Sequence, residues 1–218
     1  MRHNLHAWDL SPLDAIALQN ALASQLRDEA LDLGRVQRVA GVDVGVKNDV
    51  SQAAVVVVSY PDLEPLETVT ARRPTTYPYI PGLLTFREGP VLIDALSQLR
   101  QLPDVYLFDG MGRIHPRRMG IAAHMGLWLD APTIGVGKTH LIGTYDTPAE
   151  EKGAYSPLWY RGDQLGVVLR LRTGVKPVYV SSGHRMMLDT AIELVLACTP
   201  RYRLPHPIRL AHKAAGQV

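Results

Sequence analysis

The run "SQAAVVVVSY" at 51–60 is the feature that most constrains how this chain can fold. It is a near-continuous series of apolar, mostly β-branched residues, which is typical of a strand buried on both faces of a sheet. Its apolar part, "AAVVVV" at 53–58, is the longest apolar run in the chain and is far too short to span a bilayer. The run therefore predicts a central strand with other elements packed on each side.

Strand patterns flank this run, and helical patterns alternate with strands after it. The full set of predicted elements is a helix over 11–31 with Ser11 as its N-cap, strands at 38–46, 51–60 and 66–73, a helix at 87–99, a strand at 104–108, a helix at 116–129, strands at 132–136, 164–172 and 177–183, and a helix at 184–198. The arginine- and proline-rich tail after residue 200 is expected to pack over the body at its start and to fray at its end.

The order of these elements predicts the fold class. Turn residues separate the first three strands, so an antiparallel meander is the simplest arrangement. The strand–helix–strand unit that follows implies a right-handed parallel crossover. The prediction is an α/β fold with a ribonuclease-H-like mixed sheet, in which a three-strand meander is followed by parallel strands flanked by helices. One domain over 1–218 accounts for the chain length.

Composition limits the class of protein and its compartment. The chain is 46% hydrophobic and 20% charged, as in globular proteins. Its single cysteine, Cys198, lies at helical spacing with apolar neighbours and is predicted to be a core residue rather than a nucleophile. The first ten residues lack the apolar core of a signal peptide. A cytoplasmic protein, expected to be a monomer without a membrane partner, is predicted.

Charge is unevenly distributed along the chain. Residues 1–110 hold 9 Lys/Arg against 14 Asp/Glu, whereas residues 111–218 hold 14 against 7. The basic half includes "GRIHPRRMG", and no acid lies between Asp109 and Asp130. Such clusters are most often solvated surface, and they are also what binding to a phosphate backbone requires.

Two acids lie where surface acids do not belong. Asp43 is inside the apolar strand "VAGVDVGV", and Asp109 ends the apolar strand "VYLFD". A buried carboxylate is unfavourable unless it is paired, hydrogen-bonded or bound to a metal. Either one alone is better explained by a turn cap or an arginine partner, but two on neighbouring strands favour a metal site. With Glu88, they form an oxygen-ligand set suited to Mg²⁺ or Mn²⁺ and to metal-dependent phosphodiester hydrolysis.

Around these residues the chain resembles the endonuclease V family of nucleases that repair deaminated bases. The proline–tyrosine segment and the DG-x-G-x-x-HPR segment are the most specific matches. The matching segments are "GVDVG" (41–45), "PYIPGLLTFREGP" (78–90), "DGMGRIHPRRMGIAAHMG" (109–126), "PTIGVGKTHLIG" (132–143), "GHRMMLDTA" (183–191) and "YRLPHPIRLAH" (202–212).

The resemblance implies a metal-dependent endodeoxyribonuclease of DNA repair. It implies Mg²⁺ as cofactor, with Mn²⁺ able to substitute, and double- or single-stranded DNA containing deoxyinosine as substrate. Incision is expected at the second phosphodiester bond 3′ to the lesion, leaving 3′-hydroxyl and 5′-phosphate ends. By position, the resemblance makes Asp43, Glu88 and Asp109 metal ligands, places His212 near the metal, and places Lys138 near the scissile phosphate.

The resemblance also implies how a lesion is found. Tyr79 becomes a wedge that fills the space of a flipped base, since its ring can stack on bases and the flanking prolines stiffen the loop. The residues expected to contact DNA are Pro78, Tyr79, Ile80, Pro81, His115, Arg117 and Arg118. The residues expected to form the lesion-base pocket are Leu84, Gly110, Gly112, Ile114, Gly120 and Leu141.

Three alternatives remain open at this stage. One is an inosine-specific ribonuclease acting on inosine RNA, and another is a different ribonuclease-H-like nuclease such as a junction resolvase. The segments at 78–90 and 109–126 argue against the resolvase. A non-catalytic nucleic-acid-binding module is the third, and it would have no use for buried acids.

Overall fold

The computed structural model describes residues 5–216, which form one mixed sheet with helices on both faces. The helices are α1 (Pro12–Ala23), α2 (Leu84–Leu96), α3 (Ile121–Leu129), α4 (Leu188–Ala197) and α5 (His206–Ala215), with a short 3₁₀ helix at Leu33–Arg35. The strands are β1 (Arg38–Lys47), β2 (Val50–Ser59), β3 (Pro65–Pro74), β4 (Val105–Phe108), β5 (Thr133–Gly137), β6 (Tyr155–Tyr160), β7 (Asp163–Leu169) and β8 (Val178–Ser182).

The sheet has the order β3-β2-β1-β4-β5-β8-β7-β6. The meander β1–β2–β3 is antiparallel, β4 is parallel to β1, and β5 is parallel to β4, which confirms the predicted fold class and the parallel pairing of the strand–helix–strand unit. The parallel part ends at β5, because β8, β7 and β6 all pair antiparallel. Strand β6 was not predicted, since it is an edge strand that alternates exposed and buried residues and contains Pro157.

The central strand β2 is buried on both faces, as its sequence predicts. Val56 and Val58 belong to the core beneath α4 and α5, whereas Val55 and Val57 belong to the core beneath α2 and α3. Full burial of such a side chain stabilises the fold by about 1.5–3 kcal/mol. The alternation along one strand therefore holds two helical layers on one sheet.

Several predicted helix limits were wrong. Helix α2 begins at Leu84 rather than at residue 87, so Pro90 lies inside the helix and not in its first turn. Helix α3 begins only at Ile121, because Gly120 donates a backbone hydrogen bond to the Gly112 carbonyl and closes a loop before it. Helix α1 ends at Ala23, eight residues before the predicted end, and α4 begins at Leu188 rather than at residue 184.

The tail packs over the body, as predicted, and does so as a helix. Ile208 and Ala211 of α5 are fully buried against the sheet. The expected fraying of the end of the tail is not seen up to Ala215, where α5 ends, and residues 1–4 and 217–218 lie outside the described residues. Cys198 is buried, and burial raises the pKa of its thiol to about 12, in agreement with a core role. Over residues 5–216, no helix is long and apolar enough to cross a membrane.

Candidate catalytic centre and nucleic-acid surface

The parallel pair β1–β4 brings Asp43 and Asp109 together. Val42 pairs with Phe108 across the two strands, and the Asp109 amide donates to the Val42 carbonyl over 2.9 Å. The side chains of Asp43 and Asp109 are only 11% and 9% exposed. Two carboxyl groups therefore meet, largely shielded from solvent, where β4 ends.

Two glycines in β1 allow α5 to reach this place. Gly41 and Gly45 lie two residues on either side of Asp43, and so on the same face of the strand. A Cβ on Gly41 would lie 2.0 Å from a carbonyl oxygen at the start of α5, and one on Gly45 would lie 2.6 Å from a carbonyl oxygen at its end. The missing side chains let the helix backbone rest on the strand. The His212 ring then donates from Nδ1 to Asp43 Oδ2 over 2.6 Å.

Asp43, Asp109 and His212 form a cluster whose donor atoms suit a divalent cation. One potential ligand atom from each lies within 4.8 Å of the others. Asp109 Oδ2 is buried and contacts the Lys138 ammonium group as an ion pair. Asp43 and Asp109 nevertheless repel each other, and a bound cation would offset that repulsion. The two carboxylates suit a hard divalent cation, and the imidazole adds a nitrogen ligand.

Glu88 lies beside this cluster on α2. Burial raises the pKa of Glu88 to about 8, and the negative charges of Asp43 and Asp109 act in the same direction. Burial also raises the pKa of Asp43, with a further contribution from Asp109, while the hydrogen bond from His212 opposes the rise. Among the described residues, the group of close potential ligands does not include Glu88. The structure thus brings three carboxyl groups near one another, beside the Lys138, Arg87 and His212 side chains.

Lys138 follows the end of β5, and its backbone is held by a residue that the sequence analysis missed. Arg203 donates from Nη2 to the Lys138 carbonyl over 2.9 Å and to the Pro177 carbonyl over 3.1 Å. Its Nε donates to the Lys176 carbonyl over 2.9 Å. Arg203 therefore ties the Lys138 backbone to the start of β8. Its position within the matching tail segment at 202–212 was the available signal.

The proline–tyrosine segment forms an exposed loop between β3 and α2. Tyr79 is 69% exposed, and Pro78 and Pro81 on either side of it are also exposed. Ile80 is half-buried in the apolar cluster that contains Leu83 and Phe86. The loop therefore presents one aromatic ring to solvent on a base that is anchored in the core.

The Gly82 carbonyl is the anchor at the end of this loop. It accepts hydrogen bonds from Gln19 Nε2 over 3.1 Å, from His115 Nε2 over 3.0 Å and from Arg117 Nη2 over 2.9 Å. Gly82 has φ +81°, and a Cβ there would lie 2.7 Å from the Arg117 guanidinium. Three donors on one carbonyl tie the end of the loop to α1 and to the segment that contains His115 and Arg117.

This geometry changes the expected roles of the basic segment. His115 is buried, its Nδ1 accepts from the Arg117 and Met119 amides, and burial with the nearby Arg117 charge lowers its pKa to about 4. His115 and Arg117 are therefore placed to hold the Tyr79 loop, and His115 also lines the cavity that lies beneath this loop. Arg118 is about half exposed and forms an ion pair with Asp163 at the start of β7.

A cavity of about 120 Å³ lies between the Tyr79 loop and the starts of α2 and α3. Its lining includes the predicted Leu84, Gly120 and Leu141, and also Tyr79, Thr85 and Met111.

Three residues predicted for this pocket, Gly110, Gly112 and Ile114, are not among the residues that line it. Ile114 is fully buried in a separate core beneath β7 and β8. A Cβ on Gly112 would lie 2.4 Å from the Ser182 carbonyl oxygen, so this glycine packs against β8. A Cβ on Gly110 would lie 2.6 Å from the Ile121 side chain. Ile114 and Gly112 therefore pack against neighbouring elements, whereas Gly110 lies against a residue that lines the cavity.

Known proteins share the sequence and the fold of this chain. The family model for endonuclease V matches residues 20–213. An endonuclease V of Nostoc punctiforme is 52% identical over 213 residues, covering 97% of this chain and 96% of that one. The crystal structure of the Bacillus subtilis endonuclease V superposes with TM-score 0.94 at 32% identity, covering 98% of this chain and 94% of the other.

A further solved structure contains a nucleic acid. It is a Ciona intestinalis endonuclease V in complex with a 24mer DNA containing an inosine followed by a ribo-adenosine, with TM-score 0.83 and 26% identity, covering 94% of this chain and 96% of that one. The fold and these similarities define the class of the protein, which is a nuclease built on a ribonuclease-H-like mixed sheet. Because the family model and the relatives cover nearly the whole chain, it belongs to the endonuclease V family.

Proposed function

We propose that this chain is a DNA repair endonuclease that recognises deoxyinosine and hydrolyses the second phosphodiester bond 3′ to it, leaving 3′-hydroxyl and 5′-phosphate ends. The observation that carries the proposal is the Asp43–Asp109–His212 cluster, in which one potential ligand atom from each residue lies within 4.8 Å of the others. The Ciona intestinalis relative with inosine-containing DNA supports the substrate class.

Lesion recognition is assigned to the cavity beneath the Tyr79 loop. An enzyme that reads a base by its edges must first flip the nucleotide out of the stack, which costs a few kcal/mol and least where pairing is weak. The exposed Tyr79 ring would stack in the space that the base leaves, and Leu84 and Leu141 would flank the flipped base in the cavity. Gly120 also lines the cavity, so its backbone would face the flipped base.

Phosphodiester hydrolysis is assigned to the acidic cluster. Asp43, Asp109 and His212 would hold a divalent cation, with Glu88 completing the set directly or through water. When bound, such an ion supplies Lewis-acid polarisation of the phosphate and a water of lowered pKa. The Lys138 ammonium group, now paired with Asp109, would offset negative charge that develops on the phosphate or on the leaving oxygen.

The proposal is tested by incubating the protein with Mg²⁺ and end-labelled duplexes that carry one deoxyinosine. Matched substrates are the unmodified duplex and the equivalent strand with inosine in RNA. Incision of the deoxyinosine strand one nucleotide beyond the lesion is expected, with the unmodified duplex intact. Equal cutting of both duplexes would refute lesion specificity, and preferential cutting of the inosine RNA would make the chain a ribonuclease.

A proposal about the cellular compartment and the oligomeric state accompanies the proposed activity. We propose a cytoplasmic monomer. Size-exclusion chromatography with light scattering measures the mass in solution, and a mass near twice the 24.0 kDa of the chain would refute the monomer.

A further inference from the structure

A basic groove opens beside His212 on the face of the sheet that α5 covers. Its volume is about 590 Å³. It is lined by Arg172, Tyr202, Arg203, Leu204, Arg209, His212 and Lys213. His212 is thus shared between the groove and the acidic cluster, so the groove begins at the candidate catalytic centre.

Three cationic side chains of this groove, those of Arg172, Arg209 and Lys213, are available to an anion. Among residues 5–216, no carboxylate forms an ion pair with Arg172, Arg209 or Lys213. The Arg209 guanidinium lies over the Tyr202 ring, 3.5 Å from its centroid, and Arg201 lies 5.5 Å from the same centroid. Stacking on an aromatic ring orders an arginine without neutralising it, and leaves N–H groups at its edge for phosphate oxygens.

The position of the groove relates it to the path of a DNA strand. The Tyr79 loop and its cavity lie with α2 and α3 on one face of the sheet, whereas α4 and α5 cover the other. Asp43 belongs to the face of β1 that α5 covers, as do Gly41 and Gly45. A strand with its lesion base in the cavity and its scissile phosphate at Asp43 must therefore continue towards α5.

We propose that this groove binds the phosphates of the cleaved DNA strand on the 3′ side of the incision. The inference rests on the proposed function, because the polarity follows from incision 3′ to the lesion. It adds a binding site for nucleotides that lie beyond both the lesion and the cut. The favourable contacts are electrostatic, so they increase affinity for strands long enough to enter the groove and decrease with salt.

The test compares single-stranded deoxyinosine substrates with equal 5′ flanks and either about 3 or about 12 nucleotides after the lesion, a range chosen to leave the groove empty or filled. For the wild-type protein, kcat/KM is expected to be about tenfold higher on the long substrate. The double variant Arg209→Gln/Lys213→Gln should lose this advantage and keep its rate on the short one. For binding of the long strand by this variant, the slope of log K, the association constant, against log[salt] should be shallower by about 1.4. This difference corresponds to two lost phosphate contacts.

Matched variants control for net charge and for folding. Arg35→Gln/Arg100→Gln removes the same charge from exposed side chains near the start of β1, away from Asp43, and should retain the long-flank advantage. Arg209→Lys keeps the positive charge, and should retain most of the higher kcat/KM on the long substrate. A double groove variant that loses rate equally on both substrates, or only when the 5′ flank is long, would overturn the inference.

Failure of the proposed function would look different. If the wild-type protein cuts no deoxyinosine substrate, the proposed function is rejected. The groove is then tested by fluorescence anisotropy with the same two labelled strands. Weaker binding of the long strand by the double groove variant alone would support the groove, and unchanged binding would reject it.

Discussion

The imidazole of His212 donates a hydrogen bond to Asp43 over 2.6 Å, and so joins residues that lie 169 positions apart. The contact completes the cluster at the candidate catalytic centre. His212 comes from the last helix, whereas Asp43 and Asp109 come from the sheet. It depends on how closely α5 packs on β1, which Gly41 and Gly45 permit. The glycines of "GVDVG" thus allow close packing of α5, and the acid between them supplies a potential metal ligand.

Gly41→Ala should destabilise the protein by about 1–3 kcal/mol, because its Cβ would overlap the α5 backbone. Incision should fall as well, since α5 carries His212. Urea unfolding measures the free energy of unfolding, and Gly34→Ala is the control, because its Cβ would meet only the exposed Asp32 side chain at 3.2 Å. Equal stability of the two variants would contradict the packing role of Gly41.

Asp109→Asn should lower incision by about 10³-fold or more, because it removes a charged oxygen from the centre of the cluster. Calorimetric titration with Mn²⁺ should show weaker binding, and circular dichroism should show an unchanged fold. Arg38→Gln, a change at a half-buried residue at the other end of β1, is the control for effects of substitution on the sheet. Wild-type incision by Asp109→Asn would remove this residue from the mechanism.

Tyr79→Ala should weaken binding to deoxyinosine DNA by roughly tenfold, because it removes the exposed ring that stacks in the gap. Tyr79→Phe keeps the ring and should bind as the wild type does. Fluorescence anisotropy in Ca²⁺, with lesion-bearing and unmodified duplexes, gives the discrimination ratio. If Tyr79→Ala keeps the wild-type ratio of affinities for the two duplexes, the loop has only a structural role.

The buried His115 should make the protein less stable in mild acid. Because its folded pKa is about 4, below that of an unfolded histidine, the unfolded state takes up the proton first. Its contribution to stability is complete above about pH 6.5 and declines as pH falls towards 4, by about 3 kcal/mol at most. Urea unfolding across this range should show a smaller decline for His115→Gln. An identical decline in both proteins would contradict the buried neutral ring.

Arg203→Ala should lower kcat about tenfold through Lys138, whose carbonyl it holds, with a smaller effect on KM. The measurement is a double-mutant cycle with Lys138→Ala. If Arg203 acts by positioning Lys138, its substitution should have little further effect once Lys138 is absent. Fully additive losses would show that Arg203 acts independently of Lys138.

The sequence predicted the class of fold because its signals are local. The apolar β2 run, the turns around it and the apolar β4 are patterns within ten residues, and they led to the correct meander and parallel pairing. Asp43 and Asp109 were recognisable for the same reason, since each is an acid in an apolar strand. Strand β6 was missed because an edge strand with one exposed face carries no such run.

The tertiary structure decided how the remaining residues are used. His115 and Arg117 resemble surface cations in the sequence, yet both turn inward to the Gly82 carbonyl. Ile114 turns into a core, and Arg203 reaches the Lys138 backbone. Side-chain direction in loops depends on contacts between distant segments, which no local pattern encodes. The sequence by itself thus determined the sheet and its acids, and only the assembled chain decided which neighbours complete the site.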